Sequence, residues 1–267
     1  MKHSLLYLFL LTLISCTSVR DSQGSAGKVQ LKIMSYNIHI GIPPTKPGTT
    51  DIDAIVRAIK EQAPDIIALQ EVDVNTARTG KINEAALIAE KLKMNFFFAK
   101  AIDHDGGDYG VAILSKFPLS ETKVHRLTTI EGTKGEPRVM ATAKVTLKNG
   151  QTIRFASTHL DAQGPSVNRD KQISEINMIS SSETLPFIIA GDFNATPNSS
   201  VIKKLDEVFT RTCQDCAPTF PVVNPKTTID FIAFKKSASF KTLSHSVVQE
   251  HYASDHLPVV ALLQLDF

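Results

Sequence analysis

The chain has 267 residues, with 29 Lys and Arg against 27 Asp and Glu and a formal charge of +2. That length allows one large domain with a substantial core, and no internal repeat divides it. The near balance of charge excludes a strong electrostatic bias toward polyanions and fits an ordinary globular surface.

Lys2 and His3 precede a ten-residue apolar run, Leu5 to Ile14. The run is too short to span a bilayer and has the order of a secretory signal. At its end, Leu13-Ile14-Ser15-Cys16 resembles a bacterial lipobox, which implies cleavage before Cys16 and acylation of that residue. The alternative is a plain signal peptide with an incidental Cys. The expected organisation is a signal peptide over 1–15, a lipidated Cys16 with a flexible tether to residue 28, and one domain over 29–267. The mature protein would then sit on a bacterial cell envelope, exported, held to the membrane through Cys16.

In the domain, Val29 to Ile40 alternates as a strand ending at Asn37, and Pro43, Pro44 and Pro47 enforce a loop. Asp51 to Glu61 carries Ile52, Ile55, Val56 and Ile59 at helical spacing behind an acidic first turn. Asp65 to Gln70 is a short apolar strand that runs into Glu71, and Asn83 can cap a second helix. Asn95 to Ala99, Tyr109 to Ser115, Leu119 to Leu127 and Arg138 to Leu147 read as strands. The Asn149-Gly150 turn leads into Gln151 to Thr158. A helix over Asn168 to Ser180 turns Ile173, Ile176 and Ile179 inward. Phe187-Ile188-Ile189-Ala190 is apolar throughout, as in a strand buried on both faces, and it ends in Gly191-Asp192-Phe193-Asn194. Two residues apart, Asp192 and Asn194 would share one side of an extended segment. A short helix over Ser199 to Glu207 and strands over Thr228 to Phe234, Phe240 to Val247 and Leu257 to Leu265 complete the chain.

Antiparallel meanders joined to helices predict an α/β fold, a four-layer α/β/β/α sandwich of two mixed, mostly antiparallel sheets. No Gly-rich loop of either nucleotide-binding kind is present. Cys213 and Cys216 form a lone C-x-x-C without the second ligand pair that zinc requires. A local disulfide is expected there, with two free thiols as the alternative.

Polar residues close one apolar strand after another. Asn37 follows Met34-Ser35-Tyr36, Glu71 follows Ala68-Leu69-Gln70, and His159 follows Ala156-Ser157-Thr158. Asp230 sits within Ile229-Asp230-Phe231, and Asp255-His256 precedes the last strand. A charge buried in an apolar strand needs a partner. Singly each has a bland reading as a turn, a helix start or a core residue; together at sheet rims they imply one convergent site.

In this order, Tyr36-Asn37-Ile38, Leu69-Gln70-Glu71, Thr158-His159-Leu160, Gly191-Asp192-Phe193-Asn194, Ile229-Asp230-Phe231 and Ser254-Asp255-His256 resemble the motifs of the endonuclease/exonuclease/phosphatase family, from Met34 to the C-terminus. The family takes in deoxyribonuclease I, abasic-site endonucleases, neutral sphingomyelinases and inositol-polyphosphate 5-phosphatases. The resemblance implies the two-sheet sandwich and cleavage of a phosphate ester with Mg²⁺, or Mn²⁺ in its place. Such hard cations prefer oxygen ligands. By the resemblance Glu71 is the direct metal ligand, with Asn37 adjacent and Asp255 contributing directly or through water. Asp192 is the base for water, and Asn194 holds that water or the phosphate. His256, paired with Asp230, binds phosphate as an imidazolium, and His159 stabilises the phosphoryl oxygens from the other side with Asp108 as its carboxylate partner. Arg78 and Arg138 are candidates for a second substrate phosphate, against the alternative of an Arg paired with a nearby carboxylate. Arg169 with Gln172 suits polar anchoring.

The expected activity is therefore metal-dependent hydrolysis of a phosphate ester by a monomeric, envelope-anchored enzyme. An exported nuclease is the alternative, and a non-catalytic binding protein a weaker one. Nucleic acid is not favoured as substrate. Lysines are scattered apart from Lys203-Lys204 and Lys235-Lys236, and abasic-site enzymes usually continue Leu-Gln-Glu with Thr-Lys where this chain has Val72-Asp73.

Overall fold

A computed structural model describes residues 27–267. The expected signal peptide and Cys16 lie outside the described residues. Among those described, no helix is long and apolar enough to cross a membrane.

Two six-stranded sheets stack face to face. The first contains β1 (Lys28–Asn37), β2 (Ile66–Val74), β3 (Asn95–His104), β4 (Gly107–Ser115), β11 (Phe240–Val247) and β12 (Val259–Asp266), in the order β11-β12-β1-β2-β4-β3. The second contains β5 (Leu119–Leu127), β6 (Arg138–Thr146), β7 (Thr152–His159), β8 (Phe187–Asp192), β9 (Phe209–Arg211) and β10 (Asp230–Lys235), in the order β5-β6-β7-β8-β10-β9. Only β1 with β2 and β7 with β8 pair in parallel; the other pairs are antiparallel.

Strand parity builds the layers. Ile33, Ile113, Val139, Phe155, Ile188, Ala190 and Ile232 fill the space between the sheets. Their neighbours of opposite parity face outward under helices. Met34, Tyr36, Ile67 and Leu69 lie beneath α1 (Ile52–Gln62) and α2 (Glu84–Leu92). Phe187, Ile189 and Phe231 lie beneath α3 (Val167–Ser181) and α4 (Ser200–Val208). Both faces of β8 are covered, which is why its sequence does not alternate. Asp51, Asn83 and Ser199 cap α1, α2 and α4 by accepting from the amides of Ala54, Ala86 and Ile202.

The structure departs from the sequence reading in four places. β2 runs past Glu71 to Val74, because a bulge between Leu69 and Val72 absorbs the polar residue without ending the strand. β3 reaches His104, since the Asp105-Gly106 turn folds it back onto β4 as a hairpin. The short strand β9 pairs on the edge of β10. Asp230 begins β10 and does not lie inside it, and its register partner is Asp192. Cys213 and Cys216 are joined as a disulfide in the loop between β9 and β10.

Gly191, one residue before Asp192, marks a close approach of β7 to β8. A Cβ at that position would lie 2.2 Å from the Thr158 carbonyl oxygen. Gly191→Ala should therefore force the parallel pair apart and lower stability by about 1–3 kcal/mol, the usual scale of overpacking. Urea unfolding checks this, and unchanged stability would contradict the β7–β8 register.

Candidate active site

The two parallel pairs send the C-terminal ends of β1, β2, β7 and β8 toward one rim. β10 and β12 start at that rim because they run antiparallel to β8 and β1. His159 and Asp192 are register partners, as are Asp192 and Asp230. Topology thus gathers the strand-end residues.

Glu71 occupies the bulge with φ of 55°, a left-handed conformation that a non-glycine residue adopts only when its surroundings hold it. The kink turns its half-exposed carboxylate into the rim. Asn37 is fully buried and sits between the two sheets. Its Oδ1 accepts from the His39 amide at 3.1 Å, while Nδ2 donates to Glu71 at 2.9 Å and to Asp192 at 3.1 Å. The carboxamide therefore bridges the carboxylates, and its oxygen is already engaged. Behind the bulge, Glu84 accepts from the Asp73 amide at 2.7 Å. Burial, together with the nearby Asp73 charge, raises the Glu84 pKa to about 8, although the Asp73 amide pulls the other way. Sequence reading missed Glu84, which stands where helix starts are commonly acidic.

Asp192 lies at the centre. Its Oδ1 accepts from the Asn194 amide at 2.8 Å, and Oδ2 lies 3.6 Å from His159 Nε2 and 3.7 Å from His256 Nε2. Burial, then the Asp230 charge, raise its pKa to about 7, against the lowering effects of His256, the Asn194 amide and Asn37. Asn194 does not share a side with Asp192 through extended backbone. At φ of 47° it closes a turn on the Asp192 carboxylate. Its Nδ2 donates to the Leu160 carbonyl at 3.0 Å, leaving Oδ1 as the free acceptor.

The two histidines differ by their partners. Nδ1 of His256 donates to Asp230 Oδ2 at 2.9 Å. Burial alone would lower the His256 pKa, but the charge and hydrogen bond of Asp230, with help from Asp192 and Asp255, push it up to about 10. The Thr219 hydroxyl donates to the same Asp230 oxygen at 2.6 Å, and the Phe220 ring lies 4.7 Å from the His256 ring. Both are in the loop between β9 and β10, and nothing in their local sequence marked them. Nδ1 of His159 faces Nη1 of Arg138 at 3.1 Å and must accept, since guanidinium only donates. Burial, then Arg138 and His256, hold the His159 pKa well below its ordinary value. It is a neutral ring carrying its proton on Nε2, the nitrogen nearest Asp192.

Three expectations change. Asp108 is not the partner of His159: it pairs with Lys100 at 2.6 Å on the β3–β4 edge, and Arg138 takes the His159 nitrogen. Arg138 is buried and paired with Glu136 at 2.7 Å, so it supports His159. Arg78 is held by Asp73 through Nε at 2.7 Å and Nη2 at 2.8 Å. For both arginines, the alternative of a paired carboxylate holds. Asp255 lies beside His256 in a turn that Ser254 ties to the Asn37 carbonyl at 2.7 Å. Arg169 anchors the Asp161 and Gln163 carbonyls, as expected of it.

Asp192, Asp230 and His256 each place one ligand-capable atom within 4.8 Å of the others. Their hydrogen bonds and the charge on His256 suit that trio to moving protons, because a protonated imidazole cannot ligate. Glu71 is the better fit to a hard divalent cation. It is a carboxylate fixed in a strained bulge, with only Oε1 engaged by Asn37, facing a cavity of about 190 Å³. A larger groove of about 450 Å³, lined by Arg154, His125 and Phe187 among others, contains none of these residues.

Residues 34–256 match the Endonuclease/Exonuclease/phosphatase family, and the chain belongs to it. Members of this family are hydrolytic phosphoesterases and nucleases. The chain is similar to YbhP of Escherichia coli K12, with 25% identity over 251 residues, 88% of this chain and 96% of that one. Its fold is shared with an endonuclease/exonuclease/phosphatase from Beutenbergia cavernae, at TM-score 0.73 and 22% identity, covering 88% of this chain and 72% of the other. It is shared also with the mannosyl-6-phosphatase of Bacteroides thetaiotaomicron, at TM-score 0.69 and 19% identity, covering 87% and 99%.

The His256–Asp230 pair carries a pH signature. A folded pKa of about 10 against an ordinary 6.5 means the pair's stability is fully present below about pH 6.5 and fades as pH rises through about 10. Asp230→Asn should bring the His256 pKa down toward 6.5 and remove that dependence. NMR titration of the metal-free protein checks it. Equal His256 pKa values in parent and variant would show that Asp230 is not the controlling partner.

Proposed function

We propose that this chain hydrolyses a phosphate ester by in-line attack of water, with Asp192 as the base and a divalent metal, Mg²⁺ or Mn²⁺, held at Glu71. The observation that carries the reading is Asp192 itself. It is a buried carboxylate whose pKa is raised to about 7, close to both imidazole Nε2 atoms and joined to Glu71 through Asn37. A base with a pKa near the working pH is best placed to take a proton from water.

In this reading the phosphoryl group lies against the two Nε2 atoms. The His256 imidazolium and the neutral His159 each donate to a phosphoryl oxygen, one as a cation and one as a dipole. Asp192 takes one proton of the attacking water, and Asn194 Oδ1 accepts the other O–H and aligns it. The new P–O bond forms as the ester P–O bond breaks, and the leaving alkoxide is protonated by solvent. Glu71 would hold the metal, with Asp255 direct or through water; Asn37, its oxygen engaged by His39, orients Glu71. The metal when bound would polarise the phosphoryl oxygen and stabilise the leaving oxyanion.

The near-balanced charge and scattered lysines favour a small phosphate ester over nucleic acid. A mannosyl-6-phosphatase among the proteins of the same fold supports this choice. We further propose that the protein is held on a bacterial envelope through acylated Cys16, on the strength of Leu13-Ile14-Ser15-Cys16.

Asp192→Asn should reduce turnover by about 10²–10⁴ while leaving Mg²⁺ affinity largely intact. Glu71→Gln should weaken metal affinity and turnover together. Assays on a panel of phosphomonoesters, phosphodiesters and nucleic acids, with metal binding by calorimetry, check both. An active Asp192→Asn would remove the base assignment. In a bacterial host the full chain should partition with membranes and Cys16→Ser should not; equal partitioning would contradict the anchor.

A further inference from the structure

The loop between β9 and β10 holds His256 from one side, and a disulfide closes its first turn. Cys213 and Cys216 are three residues apart, so their bond rings only a short piece of chain. A crosslink over so short a loop removes little freedom from the unfolded chain and is a weak staple for the fold. Its surroundings are those of a reactive bond. Both cysteines are partly exposed. A hollow of about 220 Å³ opens beside them, lined by Asp206, Phe209, Arg211, Cys213 and Lys236 among others, with Cys216 outside its wall. The two sulfurs therefore differ. Cys213 borders the hollow, whereas Cys216 Sγ accepts from Arg211 Nη1 at 3.6 Å. Asp206 takes Nε and Nη2 of Arg211 at 2.8 and 3.0 Å and fixes the guanidinium in that place.

From Cys216 the chain runs directly into the contacts of His256. Thr228 Oγ1 donates to the Cys216 and Ala217 carbonyls at 3.0 and 2.9 Å, just ahead of Asp230. The Thr219 amide donates to the Thr227 carbonyl at 2.8 Å. The Thr219 hydroxyl then reaches Asp230, and the Phe220 ring lies against His256. The disulfide thus braces the turn from which these two side chains extend.

We infer that Cys213–Cys216 is a site of reversible thiol–disulfide exchange with a dithiol reductant, and that its state sets how firmly the loop holds Asp230 and His256. A thiolate of the reductant enters the hollow, where Arg211 and Lys236 set two cations against the Asp206 carboxylate, and attacks Cys213 Sγ. A bond forms between those sulfurs as the Cys213–Cys216 bond breaks, and the electron pair leaves on Cys216 Sγ. The Arg211 guanidinium stabilises that thiolate, and a stabilised thiolate departs faster. The second thiolate of the reductant then displaces Cys213. The reductant ends as a disulfide, and the chain, having taken up two electrons and two protons, ends as two thiols. Without the bond, only the hydrogen bonds to Thr227 and Thr228 hold the turn, and Thr219 and Phe220 loosen their grip on the Asp230–His256 pair.

The test uses the full chain carrying Cys16→Ser, which leaves Cys213 and Cys216 as its only cysteines. The native protein is treated with dithiothreitol, and free thiols are trapped by alkylation and counted by mass spectrometry. Both cysteines should become alkylated without unfolding. Arg211→Gln should slow the reduction by about fivefold or more, and Arg211→Lys, which keeps a cation, should stay within about twofold of the parent. A pair that resists reduction until the protein unfolds, or an Arg211→Gln rate equal to that of the parent, would overturn the exchange site. NMR signals of the Thr219 amide and the His256 ring should move on reduction and return on reoxidation. They should sit at the reduced positions, blind to reductant, in Cys213→Ala/Cys216→Ala. Signals that ignore the state of the pair would overturn its hold on His256. No substrate is used, so these outcomes are independent of the hydrolytic reading.

Discussion

One buried carboxamide links the halves of the site. Asn37 belongs to the first sheet and Asp192 to the second, and the amide nitrogen of Asn37 serves both Asp192 and Glu71. Two carboxylates brought this close repel unless something donates between them. A primary amide has two N–H groups for that task, and here they point correctly because the His39 amide fixes the oxygen. Beneath it, Gln70 Nε2 donates to Ser157 Oγ, which donates in turn to the Leu69 carbonyl. Directional bonds thus join the sheets near the rim, apolar side chains fill the space between them, and Arg126 with the Ala101 carbonyl and Thr212 with His245 add a bond at each edge. Apolar packing can slide; hydrogen bonds of this length set the relative position of the sheets, and with it the separation of Glu71 from Asp192.

Four non-glycine residues near the same rim adopt positive φ, as several turn and helix-end residues elsewhere also do. Glu71 does so in the bulge within β2, and Asn194, His39 and Ile40 do so just beyond the ends of β8 and β1. Such conformations cost on the order of 1–3 kcal/mol apiece and persist only when their surroundings over-determine them. The four-layer core supplies that constraint, since β1, β2 and β8 are each buried on two faces. The bulge at Glu71 shows what the strain accomplishes. Regular pairing would have sent this side chain to one face of the sheet, while the bulge turns it toward the cleft between the sheets.

How much of this was legible in the sequence follows from range. Continuous apolar runs report burial on both faces, so the layered architecture and the placement of Asp192 could be read from Phe187 to Ala190. Polar residues closing such runs stand out in the sequence, which made Asn37, Glu71, His159 and Asp192 readable together. Partnerships across the fold were not. Asp108 stood at a plausible place before β4, but strand register gives it to Lys100. Thr219 and Arg138 lie 11 and 21 residues from the groups they hold, in segments with no periodicity that would aim them there. The Glu71 bulge was hidden too, because a polar residue closing an apolar run reads as the end of the strand, and Val72 to Val74 are too few to mark its continuation.

The last consequence concerns charge. His159 and His256 approach Asp192 Oδ2 at nearly equal distance, and both rings are buried. Burial lowers the pKa of each, so burial cannot distinguish them. What differs is the group on Nδ1, a guanidinium for His159 and a carboxylate for His256. Both rings therefore present an N–H on Nε2, but only one carries a net positive charge. Two imidazolium ions flanking Asp192 would drive its pKa down and weaken it as a base, and two neutral rings would leave a phosphate dianion without a fixed cation. With one of each, Asp192 stays basic and an anionic group still meets a cation. Arg138 and Asp230 thus set opposite protonation states on two residues of the same type, and the basicity of Asp192 depends on that opposition.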